Sequence, residues 1–389
     1  MSNEPTNKKY ILKKYDKDII IFSLINEELG DYQTHINFIT KDINDLPDGV
    51  NDEVSLLRWL KKRTIPKNRA FVSQILKNQN IEPNNLIELI NVSKGLSLND
   101  VYWVVDEEFV GTFSEYNLYD NDFSEILSLI AYTGEYNTSK DSPISPEWTT
   151  SGNLPKCWRR ENKKLFLYKA GTSKEVLGSR DGYEPYSEYY ISQILDYLNI
   201  NHIKYDLCKF KNKIASVCEC FCDINHSLVP MCDIIKNNNY KELKKFITIN
   251  GFQNEFSDMI LIDALTYNGD RHYNNFGVIK DNITNQYLSL SPIYDNGLGL
   301  FSYLSDYSLF DEERFNDEKN RSLVSNWGFS FSTLLLDNLQ NDTLKKLIKM
   351  KNYQITKNKN YNLSDKRIAI LNKCINDRAT ELISMIENN

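Results

Sequence analysis

Three side chains suited to metal-assisted phosphoryl transfer stand near one another in the chain: Asp270, Asn275 and Asp295. The first two form D-x-x-x-x-N, a spacing at which one loop turns a carboxylate toward an acceptor hydroxyl and a carboxamide oxygen toward a cation. Asp295 supplies a second oxygen ligand of the hard type that magnesium takes. Between them, FGVIK and QYLSLSP read as short strands around the turn-rich DNITN, so a hairpin brings Asp295 back beside Asn275. D-x-x-x-x-N alone also fits an ordinary Asx-rich turn. With Asp295 added, the three residues define a candidate metal–nucleotide site.

The pattern resembles the catalytic core of HipA-like serine/threonine kinases, whose loop reads N-x-D-x-H-x-x-N and whose metal-binding Asp lies in P-x-Y-D-x-G. This chain has Asn268, Asp270, His272 and Asn275, then Pro292, Tyr294, Asp295 and Gly297. Gly269-Asp270-Arg271-His272 with Asn275 also fits the GDRHxxN loop of phosphoinositide kinases, so the loop defines a superfamily and leaves the substrate open. The resemblance covers residues 145–385. It implies that Asp270 orients the acceptor hydroxyl and takes its proton, that Asn275 and Asp295 hold Mg²⁺ on ATP, and that His272 supports the loop by hydrogen bonding. Arg271 either steadies Asp270 and its loop or is solvated.

The elements that must serve this loop lie upstream. YNTSKDSPISPEWTTSGNLPKCWRR is rich in Ser, Thr, Pro and Gly and leads into the strand-like KLFLYKAG. A flexible backbone followed by a lysine on a rigid strand is what a nucleotide phosphate needs, although a surface linker has the same composition. In HipA-like kinases this position holds S-x-x-G-x-x-x-K, which Thr149, Gly152 and Lys156 match with Thr in place of Ser. The resemblance makes Lys169 the lysine on the α and β phosphates and Glu188 its partner on the helix SEYYISQILDYLNI. Glu188 reads equally as a first-turn acid favoured by the helix dipole. It also makes Glu219 and Phe221 part of the adenine-binding hinge, where the family has E-R-F-D and this chain puts Cys220 and Cys222 in place of the Arg and the second acid. By the same analogy Thr149, Thr150 and Ser151 are candidates for autophosphorylation.

The expected fold is α+β and bilobal, kinase-like, with a mixed β/helical N-terminal region and a mainly helical C-terminal lobe. The domains are expected at 1–140, a β/helical module of unassigned role, 141–225, an ATP-grasping lobe with phosphate loop and hinge, and 226–389, the helical catalytic lobe. Helical spacing is plain in EVSLLRWLKKR, FSDMILIDALTYN and the C-terminal SDKRIAILNKCINDRATELISMI, where Ile368, Leu371, Ile375, Leu382 and Ile386 form one stripe. FSYLSDYSLFDEERFNDEKN falls where an activation segment would lie and reads as an acidic substrate-facing segment or an exposed loop.

Composition bounds the remaining classes. A net charge of −7 disfavours direct nucleic-acid binding, and no apolar run is long enough to span a bilayer, so no membrane partner is expected. The start MSNEPTNKKY lacks the apolar stretch of a secretory signal, and seven scattered cysteines suit reduced thiols, both of which lead to a cytoplasmic expectation. Cys218, Cys220 and Cys222 alternate and read as small buried thiols rather than a soft-metal site. From Arg58 to Lys77 the chain is basic without an acid, with Trp59 and Phe71 interleaved, which reads as a solvated face or an anionic docking surface. The expected cofactors are ATP and Mg²⁺, the expected acceptor a protein Ser/Thr, and the family resemblance implies a DNA-binding antitoxin partner. The rival readings are a lipid or small-molecule kinase and a nucleotide-binding toxin–antitoxin regulator.

Overall fold

Alternating apolar residues in KKYILKK and KDIIIFSLIN build β1 (Lys8–Lys14) and β2 (Lys17–Asn26), which pair antiparallel. With β3 (Tyr32–Ile39) and β4 (Tyr102–Asp106) they form a four-stranded sheet in the order β3-β2-β1-β4. One face packs on α1 (Glu53–Lys62), whose start is fixed by a reciprocal cap between Asp52 and Ser55. Tyr10, Leu12, Phe22, Leu56, Trp59 and Leu60 meet in that core. α2 (Val72–Gln79), α3 (Leu86–Ser93) and α4 (Glu125–Thr133) follow, and Ile75, Leu76, Leu127 and Ile130 form a second core with Trp148.

The computed structural model describes residues 8–26, 31–135, 137–172 and 182–388. The chain divides into two units, one of Met1–Lys169, Glu219–Val229 and Lys280–Gln286, the other of Ala170–Cys218, Pro230–Ile279 and Tyr287–Asn389. The first unit also holds β5 (Lys156–Glu161) and most of β6 (Lys164–Ala170), a hairpin closed by Asn162 and Lys163. Both turn residues take positive φ, 50° and 67°, the conformation that lets a two-residue turn follow the right-handed twist of its strands.

The second unit is mainly helical. It contains α5 (Glu184–Leu198), the hairpin of β7 (Tyr205–Phe210) with β8 (Lys213–Glu219), α6 (Tyr240–Asn250) and α7 (Gln253–Thr266). β10 (Gly277–Asp281) and β11 (Tyr287–Leu290) are the hairpin expected around DNITN, with the last two residues of β10 and its turn belonging to the first unit, as does β9 (His226–Pro230) up to Val229. The closing helix α11 (Asp365–Glu387) buries Ile368, Leu371, Ile375 and Leu382 of the expected stripe, while Ile386, in its last turn, is only half-buried. Before it come α8 (Glu312–Arg321), α9 (Phe331–Asp337) and α10 (Thr343–Lys349). The acidic stretch expected as a segment or loop is therefore largely helical: Ser305 caps a short turn over Asp306–Phe310, and Asp311 caps α8.

Two readings of charge change on folding. Arg63 and Arg69 of the basic run are buried, so the run is neither wholly a solvated face nor wholly a docking surface. Arg63 bonds Asp100 and stacks on Trp59, its guanidinium 4.2 Å from the ring centre. Lys61, Lys62, Lys67 and Lys77 remain exposed. Cys218 and Cys222 are buried free thiols, and burial pushes Cys220 up to about 12. Among the described residues no cluster of three His, Cys, Asp or Glu side chains could hold a metal.

Asp45 ties the first unit's sheet to the turn at 281–286. It accepts from Lys14 at 2.9 Å and Asn285 at 3.1 Å and also binds Lys17. Burial alone would push its carboxyl up, but these bonds hold it below the usual carboxylate range. A depressed carboxylate contributes stability above its unfolded pKa, about 3.9, and loses it as pH falls further toward its folded value. Asp45→Asn should therefore be less stable than wild type from pH 5 to 7, by about 1.5–3 kcal/mol, in urea unfolding, with the difference shrinking below about pH 4. A difference that stays constant down to pH 2.5 would contradict this.

Candidate active site

From Met259 to Thr266 α7 is buried on every side and carries one buried acid, Asp263, 1% exposed. Its helix ends at Thr266, Tyr267 takes a left-handed turn, and the loop Asn268–Asn275 follows. Arg271 points inward and is 2% exposed. It grips Asp263 with two bonds of 2.9 Å, from Nε and Nη2. Nη1 donates to the Asn275 carbonyl at 2.9 Å and the Tyr294 carbonyl at 2.7 Å, and Nη2 to Asn296 Oδ1 at 2.7 Å. One planar guanidinium thus holds the Asp270 loop and the residues on both sides of Asp295. The solvated alternative for Arg271 is excluded by this burial.

The charges in this pair oppose burial. Burial pushes the Asp263 carboxyl up, while Arg271 and the Asn268 amide, 2.9 Å from Oδ1, pull it back. Burial likewise works against the Arg271 charge, and Asp263 outweighs it, so the guanidinium stays protonated.

Asn275 is 7% exposed, and its Nδ2 donates to the Asp270 carbonyl at 3.2 Å. That bond fixes which way the amide faces and leaves Oδ1 as the oxygen for a cation. His272 Nδ1 accepts from the Asn274 backbone at 3.2 Å, a loop-holding role. Asp295 has φ 55°, a left-handed conformation that Asp tolerates better than most residues, and its N–H donates to Tyr205 Oη at 3.3 Å. Burial, reinforced by Glu188, Cys218 and Asp295, pushes the Tyr205 phenol up and keeps it neutral. Ser187 Oγ lies 2.8 Å from both the Asn296 and Gly299 carbonyls, which share its one donor, and pins this segment to α5. These oxygen donors suit magnesium, which keeps its own waters and needs few protein ligands.

Glu188 is 1% exposed and accepts from Ser216 Oγ. α5 begins at Glu184, so Glu188 sits a full turn inside the helix rather than in its first turn. Asp270, Arg271, His272, Asn275, Asp295 and Glu188 all belong to the second unit.

The other candidates belong to the first unit. Lys156 and Lys169 stand directly opposite in the β5–β6 hairpin, each 8% exposed, and so share one face. Lys156 Nζ donates to the Ser151 carbonyl at 2.8 Å. Gly152 has φ 101°, a backbone conformation that residues with a side chain rarely adopt, which favours glycine there. Thr149 Oγ1 donates to the Leu96 carbonyl at 3.1 Å and Thr150 Oγ1 to the Pro146 carbonyl at 2.8 Å, whereas Ser151 is exposed. Glu219 forms an exposed ion pair with Lys164 at 2.9 Å, and the neighbouring Cys220 N–H donates to the Leu165 carbonyl at 2.8 Å. Phe221 is half-buried.

No protein-family model matches this sequence, and no curated protein matches it. Among solved structures the chain is similar to one from the Shewanella oneidensis MR-1 toxin–antitoxin complex of HipA, HipB and its operator DNA, at 13% identity and TM-score 0.54, covering 97% of this chain and 98% of that one. The Helicobacter pylori proinflammatory kinase CtkA is 19% identical over 60% of this chain and 93% of its own, with TM-score 0.47. The near-complete overlap with the Shewanella chain identifies the fold: an α+β, HipA-like kinase fold.

Arg271→Gln should destabilise the second unit by about 3–5 kcal/mol, because it leaves Asp263 buried without its counter-charge. Arg271→Lys, which keeps the charge and loses the fork, should recover only part of this in denaturant unfolding. Wild-type stability in both variants would contradict the assigned role.

Proposed function

We propose that the chain is an ATP- and Mg²⁺-dependent kinase of the HipA-like type that transfers the γ-phosphate to a protein Ser or Thr hydroxyl. The observation that carries this reading is the single guanidinium of Arg271, bonded to the Asn275 carbonyl on one side and the Tyr294 carbonyl on the other. It supports a common site for Asp270, Asn275 and Asp295, the set that phosphoryl transfer needs.

In this reading Asp270 orients the acceptor hydroxyl and takes its proton. Asn275 Oδ1 and the Asp295 carboxylate hold the magnesium, which when bound neutralises charge on the phosphates. By analogy with the family, Lys169 takes the α and β phosphates, with Lys156 and the loop around Gly152 over them. The backbone around Glu219 and Phe221 receives the adenine. Ser151, Thr149 and Thr150 are the autophosphorylation candidates, with Ser151 the exposed hydroxyl of the three.

A protein acceptor is favoured over an anionic lipid by the stretch 306–321 after Asp295, whose six acids outnumber its three basic residues and would disfavour a negative membrane surface. No helix among the described residues is long and apolar enough to cross a membrane. The Shewanella complex contains an antitoxin and operator DNA, and a DNA-binding antitoxin is the partner we propose by analogy, in the cytoplasm.

Incubation with labelled ATP and Mg²⁺, with and without cell lysate, should label a protein acceptor or the chain itself. Asp270→Asn and Asp295→Asn should each lower transfer by at least about a thousandfold, with Asp270→Asn still binding ATP. Full transfer by either purified variant would remove the assignment, and label appearing only in lipid would favour the rival kinase class.

A further inference from the structure

The module before residue 140 carries none of the kinase motifs, yet one of its side chains reaches the base of the 149–156 loop. Arg69 lies between α1 and α2, and the Arg69 and Glu147 side chains are both 0% exposed. Its Nη2 donates to Glu147 Oε2 at 2.5 Å and to the Lys156 carbonyl at 2.7 Å. Glu147 Oε1 accepts the Trp158 N–H at 2.7 Å. The residue two before the loop and the strand that leaves it are thus joined through a single buried ion pair.

The bonds continue into the loop. Trp158 Nε1 donates to Thr150 Oγ1 at 3.0 Å, and Lys156 Nζ to the Ser151 carbonyl at 2.8 Å. Arg69 Nε and Nη1 have no protein acceptor among the described residues, so the two bonds through Nη2 fix the guanidinium. A fully buried pair costs more to desolvate than a hydrophobic pair would, which makes bare stabilisation a poor account of it. Placing two loop ends at a set separation is a use that apolar side chains of equal volume do not supply, because they cannot bond the Lys156 carbonyl and the Trp158 N–H.

We propose that Arg69 and Glu147 are positioning residues for nucleotide binding: the N-terminal module sets the shape of the 149–156 loop, and with it the placement of Lys156, through this pair. This rests on the reading of 149–156 as the nucleotide-phosphate loop. It also gives the module a role in ATP affinity, in place of a free-standing docking function.

The test compares the ion pairs made by two buried arginines of that module, Arg69 and Arg63. Among the described residues Arg63 bonds the Gly95 carbonyl and Asp100 and not the 149–156 loop, so this pair is the control. Binding of mant-ATP with Mg²⁺ would be measured for wild type, Arg69→Lys, the double variant Arg69→Gln with Glu147→Gln, and the double variant Arg63→Gln with Asp100→Asn. The Arg69/Glu147 double variant should bind about tenfold more weakly, its KM for ATP should rise more than its kcat falls, and limited proteolysis should cut sooner within 149–155. Arg69→Lys should fall between this variant and wild type, and the Arg63/Asp100 variant should keep wild-type affinity even where it unfolds more readily. Equal loss of affinity in both double variants, or none in the Arg69 variants, overturns the proposal. If wild type binds no mant-ATP, the nucleotide reading falls, and the proteolysis comparison still decides whether Arg69 and Glu147 hold the loop.

Discussion

The buried contact between Arg271 and Asp263 is the constraint on which the second unit's site depends. A guanidinium desolvated to 2% exposure needs acceptors on every edge, and the chain supplies them from three places: α7, the loop it leads into, and the segment around Asp295. The geometry of Arg is what makes this work, since five N–H donors in one plane bind several backbones at fixed angles where a lysine would offer a point charge. Asn275 is then oriented by the Asp270 carbonyl, and the Asp295 backbone by a left-handed turn bonded to a neutral, half-buried tyrosine.

Local pattern made much of this legible. Asp270, Asn275 and Asp295 could be picked out because the chemistry fixes both residue type and spacing, and the hairpin of β10 and β11 was readable from DNITN between two apolar runs. The stripe along α11 was equally clear. Asp263 was not singled out, although a lone acid in ILIDALT was the available signal: a charge in a helix apolar all round implies a buried partner. Which cation answers it is set by tertiary packing, eight residues away.

Other features were invisible for the same reason. Arg63 and Arg69 look like their exposed lysine neighbours in a one-dimensional charge run, and only Asp100 and Glu147, far along the chain, distinguish them. The return of 219–229 and 280–286 to the first unit is likewise non-local. The acidic stretch after Asp295 concealed its helix because α8 buries no residue, so apolar periodicity, the usual helix signal, is absent there and capping by Asp311 carries the start.

The account stands or falls on a shared cation. Electron paramagnetic resonance of Mn²⁺ with ATP, titrated into purified wild type, Asn275→Ala and Asp295→Asn, reads that cation directly without requiring turnover. The account predicts saturable Mn²⁺·ATP binding by wild type, weakened by at least about tenfold in each variant. Equal binding by all three proteins, or none by wild type, would contradict it.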